Sequence, residues 1–373
     1  MRTNITFTLT WTRLAIALLV LLFLFVGGAL AVAWSGAYSI AASRGHQPFV
    51  RAFLELGMRR SVAVNARAPA RPNVEAERLV TIGATHYRTA CATCHGAPGQ
   101  PVDPIARAML PQPPLLAPLI GEWDDDELHW IVTHGLQYTG MPGWPGADRP
   151  DEVWAVVAFL RALPGMSAAE YRALSMPPAP QSAREPLGEL FSHCAACHGG
   201  QDSASNSPLT PTLSGQSAAY LERALREYRD GVRESGFMEP VASALEDADI
   251  DTLAALYSRI PPVARAGETN MLSERGLELA TAGLPTRNVA ACQSCHSGAA
   301  RADYPALAGQ PQAYLQAQLE LWRRGGRAET AHGRTMAEIA RQLTEEEIAS
   351  VTKYYASLPP AIAAPPLQVG AAQ

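Results

Sequence analysis

Three C-x-x-C-H motifs constrain this chain more than any other feature of its sequence. They are Cys91-Ala-Thr-Cys94-His95, Cys194-Ala-Ala-Cys197-His198 and Cys292-Gln-Ser-Cys295-His296. The motif is the attachment signature of c-type haem, because two thiols on one helical turn reach the two vinyl groups at one porphyrin edge. The next residue then projects its imidazole at the iron from the same turn. The sequence therefore predicts three covalently bound haem c groups.

Chance, zinc binding and a redox dithiol all fit these cysteines poorly. Six Cys and nine His placed at random in 373 positions would produce only about 0.002 such motifs. A zinc site needs two C-x-x-C pairs at short separation, whereas these pairs begin 103 and 98 residues apart. A thioredoxin-like dithiol needs a βαβ context, and strand-like runs are scarce here. Because the motifs use all six cysteines, no disulfide and no cysteine as sixth iron ligand is expected.

A methionine follows each motif and is the predicted sixth ligand of the iron. Thioether ligation is typical of electron carriers, because it stabilises ferrous iron and raises the potential. Met238 and Met336 each lie 40 residues beyond their histidine. In the first segment Met141 lies 46 residues beyond His95, in a Gly-Met-Pro turn, and competes with Met109. The bis-histidine alternatives are His129 or His134 in the first segment and His332 in the third.

The second and third haem segments are copies of one unit. The 98-residue offset between their cysteines recurs between Met238 and Met336 and between the Pro-Pro pairs that close both segments. Shared internal marks are Leu213-Ser-Gly215-Gln216…Tyr220-Leu221 and Leu307-Ala-Gly309-Gln310…Tyr314-Leu315. The first segment shares the outline and has its own Pro-rich loop. The sequence therefore predicts three consecutive small domains, the last two by duplication.

Each unit is predicted to be helical. A helix with a glycine near its start runs into each attachment turn, and the three glycines are Gly83, Gly188 and Gly276. A closing helix with apolar residues at three- and four-residue spacing follows. It spans Asp151 to Leu163 in the first unit, starts after Asp247 and Asp249 in the second, and starts after Thr344 in the third. Prolines 164, 261 and 359 end these helices.

The N-terminal segment differs from the rest of the chain in its uncharged, apolar composition. Leu14 to Trp34 is 21 residues without a charge, about 31 Å as a helix and long enough to cross a bilayer. A cleaved signal peptide with Ala31-Val32-Ala33 at the cleavage site is the rival interpretation. The apolar run exceeds a usual signal core, which favours a retained anchor. Haem attachment on the outer side of the bacterial inner membrane places the rest of the chain in the periplasm.

The chain is expected to divide into seven parts. They are an anchor (1–36), a periplasmic spacer (37–74), a first domain (75–165), a linker (166–183), a second domain (184–262), a third domain (268–360) and a disordered tail (361–373). The spacer is predicted to contain an amphipathic helix that uses Phe49, Val50, Phe53, Leu54 and Met58. This helix is interpreted as structural rather than lipid-binding.

On these motifs the chain resembles membrane-anchored multihaem c-type cytochromes of bacteria. Residues 184–360 resemble the dihaem cytochrome c4 family through their haem motifs, the Leu-x-Gly-Gln and Tyr-Leu marks and the Met238 and Met336 regions. Residues 75–165 resemble the cytochrome c domains of cbb3-type oxidase subunits. The resemblance implies an all-α fold of three tandem class I cytochrome c domains after one transmembrane helix. It also implies that Pro211 and Pro305 support the proximal histidines through their backbone.

The expected function is electron transfer rather than catalysis. The net charge of −5 leaves no basic surplus for nucleic-acid binding. Three His/Met haems would relay electrons from a quinol-oxidising complex or periplasmic dehydrogenase to a soluble cytochrome or terminal oxidase. One alternative is a cytochrome subunit of a membrane-bound dehydrogenase complex. Another is a haem enzyme with one open iron site, although no further catalytic constellation stands out.

Overall fold

The computed structural model describes residues 10–36, 38–41, 43–176, 188–201, 203–263, 273–297 and 302–360. These residues are mostly helical, and no β-strand occurs among them beyond two isolated bridges, Ala97–Gln100 and Leu284–Val289. The all-α prediction is confirmed. The predicted domain boundaries at 184 and 268 and the predicted tail 361–373 lie outside the described residues.

Two of the described helices precede the first unit. Helix α1 (Trp11–Ser35) has no buried residue and contains an 18-residue stretch with a mean hydropathy of 2.9, so it is long and apolar enough to cross a membrane. Helix α2 (Pro48–Asn65) lies in the predicted spacer.

Helix α2 has a different inner face from the predicted one. Its inward stripe runs through Val50, Leu54 and Met58 to the fully buried Val62, at four-residue spacing. Phe49 and Phe53 are 76% and 72% exposed, so their predicted part in the apolar face is wrong. Each phenylalanine lies one position before a residue of the stripe, which turns its side chain about 100° away from the packed face.

The first unit contains six helices around the first haem motif. Helix α3 continues through a π-helical turn (Tyr87–Cys91) into α4, so the attachment turn is one extended helical segment. The six are α3 (Ala76–His86), α4 (Ala92–His95), α5 (Pro104–Ala108), α6 (Asp125–His134), α7 (Val153–Ala162) and α8 (Ala168–Ser175). Helix α7 confirms the predicted closing helix, with a 3-10 turn at its start and Pro164 after its end.

Helix α8 occupies a segment whose composition predicted a linker from residue 166 onwards. Ser167 and Glu170 form a capping box at its start. Its Tyr171 is fully buried and packs against Tyr87 and Phe159. In this Ala- and Ser-rich sequence, Tyr171 is the one large side chain that faces the core. Residues 168–175 therefore belong to the packed first unit, and residues 177–183 of the predicted linker lie outside the described residues.

Gly83 lets α3 and α7 cross closely, and its replacement yields the first prediction. A Cβ atom at this position would lie 2.0 Å from the Ala155 carbonyl oxygen and 2.7 Å from Phe159 Cβ. Gly83→Ala should lower the free energy of unfolding of this unit by about 3 kcal/mol, because a backbone oxygen cannot move away without separating the helices. Thermal unfolding followed by circular dichroism measures the loss as a lower first transition.

Gly57→Ala is the matched control for that prediction. Gly57 lies inside α2, and a Cβ atom there would have no neighbour within 4 Å. Alanine should therefore leave the melting curve unchanged or raise it slightly, since it favours the helical backbone. Equal melting curves for the two variants would contradict the close-crossing explanation.

The second and third units repeat one arrangement. The second contains α9 (Gly188–His198), α10 (Ala218–Arg229), α11 (Met238–Ser243) and α12 (Asp247–Arg259). The third contains α13 (Glu274–Thr281), α14 (Gln293–His296), α15 (Gln312–Arg323), α16 (Ala331–Arg341) and α17 (Glu345–Ser357). In both, a closing helix packs on the helix that carries the Tyr-Leu mark. Three haem-motif units in tandem are therefore present in the fold.

Two details differ from the sequence prediction. Helix α12 begins at Asp247 instead of after Asp249, because Glu246 and Asp249 form a capping box that draws both aspartates into the first turn. In the third unit α13 ends at Thr281, and a turn closed by the Leu284–Val289 bridge separates it from the attachment helix α14. The approach to the third haem motif is thus not one continuous helix.

The duplicated marks form a two-fold contact between the second and third units. The Gln216 side chain donates to the Ala306 carbonyl and accepts from the Ala306 N–H, both at 2.9 Å. The Gln310 side chain donates to the Thr212 carbonyl at 2.8 Å and accepts from the Thr212 N–H at 3.1 Å. Both pairs are related by the same 94-residue offset. The two copies therefore face each other in a reciprocal, dimer-like manner inside one chain.

Candidate haem-binding sites

The six motif cysteines lie on the helical turns that the spacing predicted. Cys194 and Cys197 are both in α9, Cys91 ends the π-helical turn before α4, and Cys295 is in α14. All six cysteines are half-buried. Burial raises the pKa of the Cys194 thiol to about 12 and that of Cys91 to about 11. Burial thus disfavours the thiolate form of both side chains.

Each motif histidine holds a proline carbonyl in the same way. The Nδ1–O distances are 2.8 Å for His95 and Pro114, 2.9 Å for His198 and Pro211, and 3.0 Å for His296 and Pro305. The contacts at Pro211 and Pro305 confirm what the family resemblance implied. A ring nitrogen that donates to a carbonyl fixes the tautomer and leaves the Nε2 lone pair free for a metal. The arrangement prepares three imidazoles as ligands.

Burial keeps these imidazoles neutral. It lowers the pKa of His95, His198 and His296 below the usual value, and the hydrogen bond to the proline carbonyl opposes that shift in each case. The neutral ring is the form that binds iron, so ligation does not have to compete with protonation near neutral pH. Among the described residues, no three His, Cys, Asp or Glu side chains cluster as a conventional metal site would require.

The second and third motifs open into one shared cavity. Its volume is about 1240 Å³, and most of its lining is apolar. His198 and Met238 line it from the second unit, and His296 and Met336 line it from the third. The cavity thus brings both predicted ligand pairs to a single interior space. Its size and apolar walls suit large planar cofactors such as porphyrins.

The first unit presents its predicted ligands differently. His95 and Met141 lie outside the shared cavity, as far as the described residues define it. The Met141 carbonyl accepts from Leu136 N–H at 3.3 Å, which ties the Gly-Met-Pro turn to the end of α6. The Met109 side chain also lies here, because a Cβ atom on Gly140 would be 2.1 Å from Met109 Cε. Both methionine candidates of the first unit are therefore adjacent.

The alternative histidine ligands have other contacts. His129 is 3% exposed, its Nε2 lies 2.7 Å from the Pro150 carbonyl oxygen and its Nδ1 lies 3.3 Å from Thr133 Oγ1. Both ring nitrogens are thus engaged. His134 is exposed beside Trp130, and His332 lies 3.3 Å from an Asp303 carboxylate oxygen. Of the three histidines, His129 is the one whose contacts argue most clearly against a role as sixth iron ligand and for methionine in that role.

Two arginines in the shared cavity have no carboxylate partner in the part of the chain that the structure describes. Arg233 is 4% exposed, packs over the Tyr228 ring, and leaves its Nε without a hydrogen-bond partner. Arg327 lies over the Trp322 ring and donates to Gln318 at 2.6 Å. Burial and the nearby Arg233 charge lower the pKa of Arg327. The charges of the buried Arg233 and the half-buried Arg327 have no carboxylate to offset them among the described residues, and an anionic group of a bound ligand would supply one.

Haem c fits that requirement, because its two propionates are carboxylates at the edge of an apolar ring. Arg233 and Arg327 are 94 residues apart, as are Tyr220 and Tyr314 beside them. They are therefore equivalent positions of the two copies. The residues present fit one haem in each copy: Arg233 and Arg327 would be the partners of its propionates, and the orphaned Nε of Arg233 would be among the donors. Charge-assisted bonds of this kind are short and strong.

Comparison with known proteins identifies the family. A model described as cytochrome c oxidase, cbb3-type, subunit III matches residues 78–160, and a cytochrome c model matches residues 188–256 and 274–359. A protein named thiosulfate dehydrogenase electron acceptor, from Stutzerimonas stutzeri strain A1501, is 35% identical over 44% of this chain and 78% of its own length. The chain belongs to the c-type cytochromes. Both family resemblances drawn from its motifs are confirmed.

Other similar proteins carry the cytochrome c4 name. Cytochrome c4 of Pseudomonas aeruginosa is 31% identical over 44% of this chain and 83% of its own length. A solved cytochrome c4 structure from Acidithiobacillus ferrooxidans is 30% identical, covers 44% of this chain and 98% of its own, and has a TM-score of 0.40. Cytochrome c domains imply covalently bound haem c, which the three motifs of this c-type cytochrome provide for.

Some residues of the sites were not found from the sequence. Gln216 and Gln310 were recognised as repeat marks, yet their pairing across the units was not predicted. Arg233 and Arg327 were not singled out, although they keep the same 94-residue offset as the glutamines. A search for charged residues conserved between the two copies would have found them. Their shared burial depends on how the copies meet, which the repeat alone does not reveal.

Proposed function

We propose that this chain carries electrons through three covalently attached haem c groups, one in each unit, each held by a histidine and a methionine. The proposed iron ligands are His95 with Met141, His198 with Met238, and His296 with Met336. The observation that carries the proposal is the repeated contact between a motif histidine and a proline carbonyl in all three units. Three prepared imidazoles beside three thiol pairs are difficult to explain by another cofactor.

The side chains divide the work of an electron carrier. Haem c bound in these sites supplies reversible one-electron chemistry at iron. The cysteines hold it covalently, burial keeps the imidazoles neutral, and the proline carbonyls orient them. The methionines supply soft ligands that favour the reduced state. The apolar cavity walls exclude water and leave little room for reorganisation, while Arg233 and Arg327 balance negative charge at the inner edge.

The proposed location is the outer face of a bacterial inner membrane. Helix α1 supports a single-pass anchor, with residues 37–74 as spacer and the three haem domains in the periplasm. A signal sequence passes the same test of length and apolarity. The proposed domains are 75–176, which includes α8, then 184–262 and 268–360.

The proposed electron donor is a periplasmic dehydrogenase. The name of the Stutzerimonas stutzeri relative, an electron acceptor of thiosulfate dehydrogenase, supports this choice over a quinol-oxidising complex. A soluble cytochrome or a terminal oxidase would accept the electrons. A permanent place as the cytochrome subunit of a dehydrogenase complex uses the same chemistry and is the second candidate.

The test is the visible spectrum of the reduced full chain with and without carbon monoxide, with haem counted per chain. We expect three haems and no spectral change, because carbon monoxide binds ferrous haem only where a coordination position is open. A change in about one third of the absorbance would reveal one open iron and favour a haem enzyme. Fewer than three haems would contradict the attachment of one haem per motif.

A further inference from the structure

The loop that leads into Met238 is held by the first unit. Glu152 ends the 3-10 turn before α7, and its side chain is only 8% exposed. One carboxylate oxygen accepts from the Ser235 hydroxyl at 2.7 Å, and the other accepts from the Gly236 N–H at 2.8 Å. Arg149 pairs with the same carboxylate at 2.8 Å. The buried Glu152 carboxylate of the first unit, with hydrogen-bond donors on both oxygens, thus binds the backbone of the second unit.

Ser235 passes this contact on to Met238. Its side chain is 2% exposed, and its hydroxyl oxygen accepts from the Met238 N–H at 3.1 Å and from the Phe237 N–H at 3.3 Å. Met238 is the first residue of α11. The hydroxyl therefore caps the short helix that carries the methionine, while it donates its own hydrogen to Glu152. One chain of hydrogen bonds connects the first unit to the Met238 backbone.

Aromatic packing reinforces the same junction. The Trp144 ring, three residues after Met141, lies so close to Gly236 that a Cβ atom there would be 2.0 Å from it. Trp144 and Phe237 stand 5.4 Å apart, and the buried His86 ring lies 4.8 Å and 4.9 Å from them. The segment after Met141 therefore packs directly on the segment before Met238. A rigid junction of this kind limits how far either methionine loop can move.

We propose that Glu152 is a positioning residue for Met238, so that the first unit holds the sixth ligand of the second haem in place. The inference rests on the proposed function, because it takes Met238 as an iron ligand. Without the Glu152 carboxylate, Ser235 and Gly236 lose their acceptors and α11 loses its anchor at the end that carries Met238. Met238 is then free to leave the iron more often. Met336, which lies within α16 rather than at its start, takes no part in this junction.

The test uses the proton NMR spectrum of the fully reduced full chain in detergent. A methionine methyl group bound to low-spin ferrous haem gives a strongly upfield-shifted resonance, and the three Met→Ala variants assign the three signals. Glu152→Gln keeps the size of the side chain but replaces one acceptor by a donor and removes the charge that pairs with Arg149. Ser235→Ala breaks the relay inside the second unit. Both variants should shift or broaden the Met238 signal and leave the Met336 signal in place.

Glu77→Gln is the matched control, since Glu77 is exposed on α3 away from the junction. An unchanged Met238 signal in Glu152→Gln would overturn the proposal, whatever Ser235→Ala does. Loss of the Met336 signal together with that of Met238 would also overturn it, because the effect would then be global. If Met238→Ala removes no upfield signal, the ligand assignment fails, and the positioning role fails with it. If all three upfield signals persist in Met238→Ala, the proposal is overturned even when Glu152→Gln alters a signal.

Discussion

Replacing Met238 or Met336 by alanine is expected to lower the midpoint potential of that haem by on the order of 0.1–0.3 V, since axial ligands shift haem potentials over a wide range. The thioether stabilises ferrous iron. Loss of the side chain also opens the iron. We therefore expect carbon monoxide to bind one haem in three in each variant. Spectroelectrochemical titration of the full chain measures both effects.

The first unit supplies the control for this prediction. Met141→Ala should behave like the other two variants, whereas Met109→Ala, which removes the neighbouring methionine, should leave the potential and the carbon monoxide response unchanged. The reverse result would show that Met109 is the ligand. Unchanged spectra and potentials in all three predicted variants would contradict His/Met ligation as a whole.

Replacing Arg233 or Arg327 by glutamine is expected to lower the potentials of the second and third haems by about 60 mV, the equivalent of a tenfold change for one electron. In the proposed haem sites each guanidinium would offset the negative charge of a propionate, so its loss would favour the ferric form. Its loss would also raise the pKa of that propionate. The variant's potential should therefore rise as the pH falls through that pKa, because protonation removes the uncompensated charge.

The native chain should show a flatter pH dependence over the same interval, since each arginine keeps its propionate ionised. Arg259→Gln is the control, because Arg259 is exposed at the end of α12. Redox titrations at several pH values separate the two cases. Equal potentials and equal pH slopes in Arg233→Gln, Arg327→Gln and Arg259→Gln would show that the buried arginines do not contact the propionates.

Much of the site could be predicted from local sequence because it is local in space. The two cysteines and the histidine of each motif lie on one helical turn, so their spacing alone defines the cofactor they can hold. The closing helices were predictable for the same reason: apolar periodicity, acidic first turns and a following proline are all short-range signals. Helix α8 was not predicted from the sequence, because its single buried tyrosine, Tyr171, creates no apolar periodicity in an Ala- and Ser-rich segment.

The contacts between units could not be predicted in this way. Gln216 and Gln310 had a visible repeat but no visible partner, because the residues they bind lie 90 and 98 positions away. For Glu152 the sequence showed neither a repeat nor a partner. Only the fold places Ser235 and Gly236 against its carboxylate. Arg233 and Arg327 also had no local signal, because both face a cavity that exists only where the two copies meet.

The sequence by itself thus determined the cofactor type, the helical fold and the family, since each rests on residues a few positions apart. Only the tertiary structure decided that the second and third sites share one cavity and that Glu152 of the first unit hydrogen-bonds to the loop before Met238. Those outcomes depend on which surfaces meet after the helices form. Burial and hydrogen bonding across 80 or more residues are properties of that packing, and no short-range pattern encodes them.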